Sequence, residues 1–333
     1  MSIFLSFLIT LLTIPLLRRV AYKYKILDIP DGRIKKHEKP VPYLGGLAIY
    51  LGLTITLILA FPIKTILPFL LGLTFLLVLG LIDDLVTIRL YQKFLGQICG
   101  ALLLLTVAPF LKYLGLTLTF FYFPDGFWNI LLSLFWILSV MNAFNLVDVM
   151  DGLAPILAIT ISSSFLIFSL YFNQPLVSII LSSFLGAVIA FLYFNFPPAR
   201  IYLGDSGSLF LGGFLAVIPF MLKWDLYNPY GYLIPIVILA IPLLEGATLI
   251  IIRIIKKLPF YYGSPHHFSI YLQKHGFSKR EILLFITGIS IFLFIISFLF
   301  ALNTISLPGL ILFNILFLLF WMWSIFFLYK SNF

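Results

Sequence analysis

Along almost the whole chain, apolar runs of about 16–23 residues alternate with short polar stretches. Eleven such runs stand out, at 3–20, 43–61, 65–82, 95–111, 127–145, 153–172, 176–194, 207–222, 231–252, 282–301 and 306–328. A helix needs roughly 20 apolar residues to cross a bilayer core about 30 Å thick. The runs are long, unpunctuated and rich in Leu and Phe, a pattern of helices rather than strands. They predict an all-α polytopic membrane protein of about eleven transmembrane helices, forming one integral domain over residues 1–333. Composition agrees: 62% of the residues are apolar and only 10% are charged, against about 25% charged in an average soluble domain. That excludes a water-soluble fold. The first run has no basic stretch before it and no small-residue cleavage site, and Arg18 and Arg19 follow it. It therefore reads as a retained helix and not as a cleaved signal peptide. The one cysteine, Cys99, excludes an internal disulfide.

A formal net charge of +9 raises nucleic acid as a partner, but its distribution gives another reading. Eleven crossings put the termini on opposite sides. If the first polar loop is cytoplasmic, 18 of the 21 Lys and Arg residues fall on that side, leaving Lys64, Lys112 and Lys223 on the other. Basic residues concentrate in cytoplasmic loops of membrane proteins, so the expected topology has the N-terminus outside. The charge then serves orientation and contact with membrane lipids, with no nucleic acid required. All four histidines, and Asp83, Asp84, Asp148, Asp151 and Asp205, fall on the same cytoplasmic side. The outer stretch GLTLTFFYFPDG (115–126) alternates enough to suggest a short hairpin.

Five polar constellations line the expected cytoplasmic face. In LDIPDGRIKKHEKPVPYLGG (27–46), Pro30, Pro40 and Pro42 prevent a continuous helix, and the basic residues, with Arg33 and His37 among them, suit a phosphorylated ligand. Adjacent Asp83 and Asp84 end one apolar run, and Lys93 and Gln97 open the next. Asn142, Asn145, Asp148 and Asp151 recur every three residues, so successive members neighbour one another on a helix surface. They offer donors and acceptors for a sugar, a phosphate-bound metal or an attacking group. Pro197 and Pro198 stop the seventh helix, and Gly204-Asp205-Ser206-Gly207-Ser208 makes a tight turn into the eighth. Such a turn suits phosphate, and Asp205 suits Mg²⁺, which takes few carboxylates and fills its shell with water and substrate phosphates. Finally, His266 and His267 follow Tyr261, Tyr262, Ser264 and Pro265 in the longest cytoplasmic loop. Their spacing matches no zinc motif, whereas imidazoles on a diphosphate with aromatics beside a base fit better. Glu245 stands alone in the middle of a span, where an ionisable group is functional by default.

Taken in order, LDIPDGR (27–33), HEKPVPYLGG (37–46), Asp83-Asp84 with Lys93 and Gln97, NAFNLVDVMDGL (142–153) and PPARIYLGDSGS (197–208) resemble the polyprenyl-phosphate N-acetylhexosamine-1-phosphate transferase superfamily, glycosyltransferase family 4. The resemblance runs from about residue 27 to 280. It implies transfer of a sugar 1-phosphate from a UDP-N-acetylhexosamine to a polyprenyl phosphate such as undecaprenyl phosphate, with release of UMP. It also implies Mg²⁺, with Mn²⁺ as a substitute, and a cell-membrane location, and a homodimer is compatible with it. The implied metal ligand is Asp205. Asp83 and Asp84 act on the polyprenyl phosphate or the metal, and Lys93 binds phosphate. Asn142, Asn145, Asp148 and Asp151 shape the nucleotide-sugar site, with Asp148 and Asp151 counted beside Asp83 and Asp84 as catalytic. Arg33, His37, His266 and His267 contact substrate. The chain departs from the family at Val149, which replaces a glycine of D-G-x-D-G, at Phe268, which follows a pair of histidines instead of a triplet, and at Glu245, where many relatives carry Asp. HEKPVP with Gly45 and Gly46 is similar to the branch that transfers N-acetylglucosamine 1-phosphate. The alternatives are the peptidoglycan branch, which transfers phospho-MurNAc-pentapeptide, and, from another class, a polytopic transporter. A transporter tends to carry its ionisable groups near the midplane in repeated halves, and no repeat is evident here.

Overall fold

A computed structural model describes residues 1–29, 40–106, 126–259 and 266–330. The chain begins with helix α1 (Ser2–Tyr24) and strand β1 (Leu27–Asp28), and continues through strand β2 (Val41–Pro42), α2 (Gly45–Ala60), α3 (Ile63–Val86) and α4 (Leu90–Leu105). It goes on with α5 (Gly126–Val147), α6 (Leu153–Tyr171), α7 (Pro175–Asn195) and α8 (Gly204–Val217), then three short 3₁₀ turns. The last elements are α9 (Ile234–Ile238), α10 (Ala240–Ile255), α11 (Phe268–Lys274), α12 (Lys279–Ala301) and α13 (Leu307–Lys330). Each of the eleven apolar runs coincides with a helix or a helix pair, so the all-α polytopic class holds. Among the described residues, eight helices are long and apolar enough to span a membrane, or nine if the bent pair around α9 and α10 counts as one crossing. The other two runs form α2 and α4, each of 16 residues. At 1.5 Å per residue these rise about 24 Å, short of a full hydrocarbon core.

One expected span is broken. The run 231–252 bends by 64° between Gly231–Ile238 and Ala240–Ile255. Pro242, in the first turn of α10, has no N–H for the carbonyl of Ile238 four residues back, and its ring crowds that carbonyl. The bend redirects α10 and with it Glu245.

The first polar loop shows a short antiparallel pairing, Leu27 with Pro42 and Asp28 with Val41. Residues 30–39, with Arg33 and His37, lie outside the described residues, as do 107–125 with nearly all of the expected hairpin and 260–265 with Tyr261 and Tyr262. Backbone bonds stitch the segment after β2 to the turn before α8. Tyr202 N donates to Pro42 O at 2.7 Å, Gly45 N to Tyr202 O at 3.0 Å, and Gly46 N to Leu203 O at 3.0 Å.

Helix α8 is the axis of the fold. Every residue from Ser206 to Val217 is buried, and α2, α3 and α5 pack around it. Contact with α3 is close because Gly80 has no side chain: a Cβ there would collide with the backbone of Ser206. Helices α1 and α13 lie outermost and expose Phe4, Leu12, Leu16, Leu312, Leu319 and Trp323. A helix so apolar on its outer face is stable in lipid and not in water.

Candidate active site

Helices that alternate in direction bring the C-terminal ends of α3, α5, α7 and α10 beside the N-terminal ends of α4, α8 and α12. Nearly all the charged groups singled out in the sequence sit at these ends. The centre is a lysine between two carboxylates. Lys93 Nζ, from α4, lies 2.7 Å from Asp83 Oδ2 and 2.7 Å from Asp205 Oδ2. Asp83 Oδ1 also accepts from Ile88 N at 3.0 Å, which fixes the turn between α3 and α4. Asp205 Oδ1 accepts from Asn145 Nδ2 at 2.6 Å, and the same amide donates to Ser208 Oγ at 2.9 Å. Four helices therefore meet through three side-chain contacts to Asp205 and Asp83. Hydrogen bonds with an ionised partner are roughly twice as strong as neutral ones, so these side chains are held in place before any ligand arrives.

Asp84 has a different task. Its Oδ1 accepts from Asp205 N at 2.8 Å and its Oδ2 from Ser206 N at 3.1 Å. A carboxylate from α3 thus caps the start of α8, where free N–H groups and the helix dipole favour negative charge. Asp205 itself occupies the first turn of α8 and leaves the capping to Asp84. Gly204 enters the helix at φ 76°, and a Cβ there would lie 2.6 Å from Asp84 Oδ2 and 2.8 Å from Tyr43 O. Glycine is required here both for its backbone angle and for the space.

Asp148 and Asp151 follow α5 in the turn that leads to α6. Among the described residues, Asp148 accepts no hydrogen bond, and its carboxyl is pushed up to about 8 by burial and then by the charges of Asp205, Asp84 and Asp151. At neutral pH it is mostly protonated, in want of a cation. Asp151 is held through one oxygen instead. Its Oδ2 accepts from Lys279 Nζ at 2.8 Å and from Ala199 N at 3.3 Å. Tyr202 lies within the field of these acids: burial and the charges of Asp151, Asp28 and Asp148 push its hydroxyl up to about 12.

Asn142 goes elsewhere. Its amide pairs reciprocally with Gln97, at 3.1 and 3.2 Å, and donates to Leu138 O at 2.8 Å. This ties α4, which carries Lys93, to α5, which carries Asn145. Most of its hydrogen-bonding capacity is thus engaged in helix packing within the protein.

The histidines form a second cluster. His266 Nε2 lies 3.0 Å from Lys256 Nζ and its Nδ1 lies 2.8 Å from Tyr271 Oη. An ammonium only donates, so Nε2 is the acceptor and the proton sits on Nδ1, donating to the tyrosine. Burial and the neighbouring bases Lys256, Lys274, His267 and Arg253 push His266 down to about 4, so it is neutral at pH 7. Glu245 reaches this segment from inside α10. Its Oε1 accepts from Phe268 N at 3.0 Å, and His267 Nδ1 lies 3.3 Å from the same oxygen. Gln273 on α11 touches Met150, between Asp148 and Asp151, at 3.4 Å, so this cluster abuts the acidic turn without joining the lysine-bridged centre.

Several residues of the site escaped the sequence reading. Asn195 accepts from Gly152 N and donates to Ile201 O, both at 2.8 Å, and so locks the acidic turn to the segment before α8. Lys279 and Tyr202 belong to the same group. A polar Asn closing an apolar helix just before the Pro197-Pro198 stop was the available signal for Asn195, whereas nothing local marks Lys279 as the partner of Asp151.

Fold and site together define a polytopic helical membrane protein whose acids, lysines and amides converge at one end of the bundle. The sequence profile of glycosyl transferase family 4 matches residues 66–223, the stretch from α3 to just after α8. A probable undecaprenyl-phosphate N-acetylglucosaminyl 1-phosphate transferase of Bacillus subtilis (strain 168) is 30% identical over 325 residues, covering 96% of this chain and 88% of that protein. A phospho-N-acetylmuramoyl-pentapeptide-transferase of Staphylococcus haemolyticus is 29% identical, covering 81% of this chain and 88% of the relative. One of Listeria monocytogenes is 30% identical, covering 88% of this chain and 94% of the relative. The chain belongs to glycosyl transferase family 4 and is a phosphoglycosyl transferase.

Proposed function

We propose that the protein transfers N-acetylglucosamine 1-phosphate from a UDP-sugar to a polyprenyl phosphate such as undecaprenyl phosphate, giving polyprenyl-diphospho-N-acetylglucosamine and UMP. The observation that carries this reading is the lysine clamped between Asp83 and Asp205 at a helix N-terminus. It is an anchored cation at the positive end of a helix dipole, suited to holding a diphosphate. The match to the Bacillus subtilis relative over nearly the whole chain supports the same reading.

The acceptor phosphate needs little activation. A phosphate monoester has a second pKa near about 6 and is already largely dianionic at neutral pH. Asp83 therefore serves to orient Lys93, and through it the attacking oxygen, in an in-line displacement at the β-phosphorus of the donor. Lys93 holds the negative charge that spreads over the phosphoryl oxygens, the largest source of stabilisation in such transfers.

A divalent cation fits the donor set. Asp148 is a carboxyl without a hydrogen-bond partner among the described residues, facing three other acids, and an added positive charge relieves that repulsion. No group of three acidic, histidine or cysteine side chains encloses a metal by itself among the described residues. Mg²⁺ takes one or two carboxylates and leaves the rest of its shell to water and phosphate, so two acids suffice to hold it. Asp205 and Asp148 would hold Mg²⁺, or Mn²⁺ in its place, and the ion would supply neutralisation of phosphoryl charge. The site faces the cytoplasm of the cell membrane in this reading, since 18 of 21 basic residues fall on that side.

A donor panel decides the substrate. With purified full-length protein and undecaprenyl phosphate, UDP-N-acetylglucosamine should give lipid-linked product and UMP in equal amounts. Product from UDP-MurNAc-pentapeptide alone would overturn the reading in favour of the peptidoglycan branch. Mg²⁺ should raise the melting temperature of the wild type and not of Asp205→Asn. An equal rise in both would remove Asp205 as a ligand.

A further inference from the structure

On the outer surface of the bundle, at the end of α7 that carries the site, an apolar groove of about 560 Å³ is lined by Ile189, Leu192, Tyr193, Phe196, Pro198 and Arg200. Its volume is that of a small-ligand pocket. Two arginines border it. Arg200 lies over the rings of Tyr193 and Phe194, at 4.8 and 4.7 Å, and its Nη2 donates to Tyr193 O at 2.7 Å. Arg280, at the start of α12, lies 5.7 Å over the ring of Phe196. Both are exposed, and neither has a carboxylate partner among the described residues. Nearly all of the five N–H donors of each guanidinium remain available. An apolar trough in a membrane-facing wall, with two exposed arginines where the helix leaves the bilayer, is complementary to a lipid with an anionic head.

We propose that this groove binds an anionic membrane phospholipid, one acyl chain lying along Ile189, Leu192 and Phe196 and the phosphate held between Arg200 and Arg280. The lipid is placed to act on the active site through two short routes. Pro198 lines the groove, and the next residue, Ala199, donates its N–H to Asp151. Arg280 follows Lys279, whose ammonium pairs with the same carboxylate at 2.8 Å. Both clamps on Asp151 thus adjoin residues that touch the lipid. Binding stands apart from the proposed reaction, and only its effect on turnover rests on that reading.

Native mass spectrometry of the full-length protein, exchanged from detergent into equal phosphatidylglycerol and phosphatidylcholine, tests the site. The wild type should retain phosphatidylglycerol about tenfold over phosphatidylcholine, given the attraction of each basic side chain for an anionic surface. Arg200→Gln/Arg280→Gln should abolish that preference and Arg200→Lys/Arg280→Lys should restore part of it. Leu192→Trp, which fills the groove and leaves both arginines, should also lose the retained lipid. No preference in the wild type, or unchanged retention in both the double glutamine and the tryptophan variants, would overturn the proposal. Stoichiometric displacement of phosphatidylglycerol by undecaprenyl phosphate would overturn it too, since the groove would then belong to the acceptor. A separate assay of UMP release with and without phosphatidylglycerol reads the coupling. If the wild type retains the lipid and makes no UMP from any donor, the proposed reaction fails and the lipid site stands.

Discussion

The lysine-bridged centre and the histidine segment are neighbours built on opposite principles. In the first, acids outnumber bases: of Asp83, Asp84, Asp148 and Asp205, only Asp83 and Asp205 pair with the one lysine, while two α8 N–H groups serve Asp84 and one asparagine serves Asp205. In the second, bases gather around neutral histidine, with Lys256 at 3.0 Å from the ring and a single buried carboxylate, Glu245, fixing the backbone beside it. One region lacks positive charge and the other has it in excess. A donor that carries a diphosphate, with its cation, would be welcome at the boundary between them.

The largest break in that comparison comes from removing the shared cation. Lys93→Met leaves Asp83 and Asp205 without their counter-charge, and the loss of one such stabilising group is expected to lower turnover by about 10²–10³-fold. UMP release in detergent measures it, and a variant within threefold of the wild type would show that the lysine is structural. The second region answers to Glu245. Glu245→Leu strands the Phe268 N–H and releases His267, and KM for the nucleotide sugar should rise about tenfold, equivalent to about 1.4 kcal/mol, with a smaller change in kcat. Glu245→Gln keeps an acceptor and should recover most of the loss. Equal falls in kcat with unchanged KM would remove the histidine segment from donor binding.

The two regions should also show opposite pH dependence of stability in the metal-free protein. Asp148 has its carboxyl at about 8 when folded, against 3.8 ordinarily. Folding therefore favours its protonated form, and its contribution is lost as pH rises from about 4 to 8. His266 is at about 4 when folded, against 6.5 ordinarily. Folding favours its neutral form, so its contribution is present above pH 6.5 and is lost as pH falls towards 4. Melting curves of Asp148→Asn should lack the decline on the alkaline side, and those of His266→Gln the decline on the acid side. The same slope in either variant as in the wild type would refute the corresponding assignment.

The smallest effect sharpens the border between catalysis and packing. Gln97→Ala and Asn142→Ala should each cost about 1 kcal/mol of stability. The double variant should cost less than their sum, because the two amides serve each other. A selective rise in the donor KM for Asn142→Ala, with stability unchanged, would return that residue to the substrate site.

Much of this protein is legible in one dimension. Apolar runs near the length of a bilayer core located every long helix among the described residues, since a helix in lipid must satisfy its own backbone and needs no distant partner to do so. The same logic exposed Asp83, Asp84, Lys93, Asn145, Asp148 and Asp205, because a polar side chain in such a sequence has few bland explanations. What each of them does was not readable. Asp83 and Asp84 are adjacent and chemically identical, yet one holds a lysine and the other caps a helix that begins 120 positions later. Successive residues on α3 point about 100° apart, and only the packing of α8 decided which carboxylate met its N–H groups. Asn142 and Asn145, one turn apart, were likewise separated by their neighbours Gln97 and Asp205. The proline that bends the ninth span stood in plain view at 242, but the direction of the bend, which carries Glu245 to the histidines, follows from how α10 packs on α5. Sequence alone determined which groups this membrane enzyme has and that they lie at helix ends. Tertiary structure decided which of them meet, because contacts between residues more than 100 positions apart depend on helix packing, which no local pattern encodes.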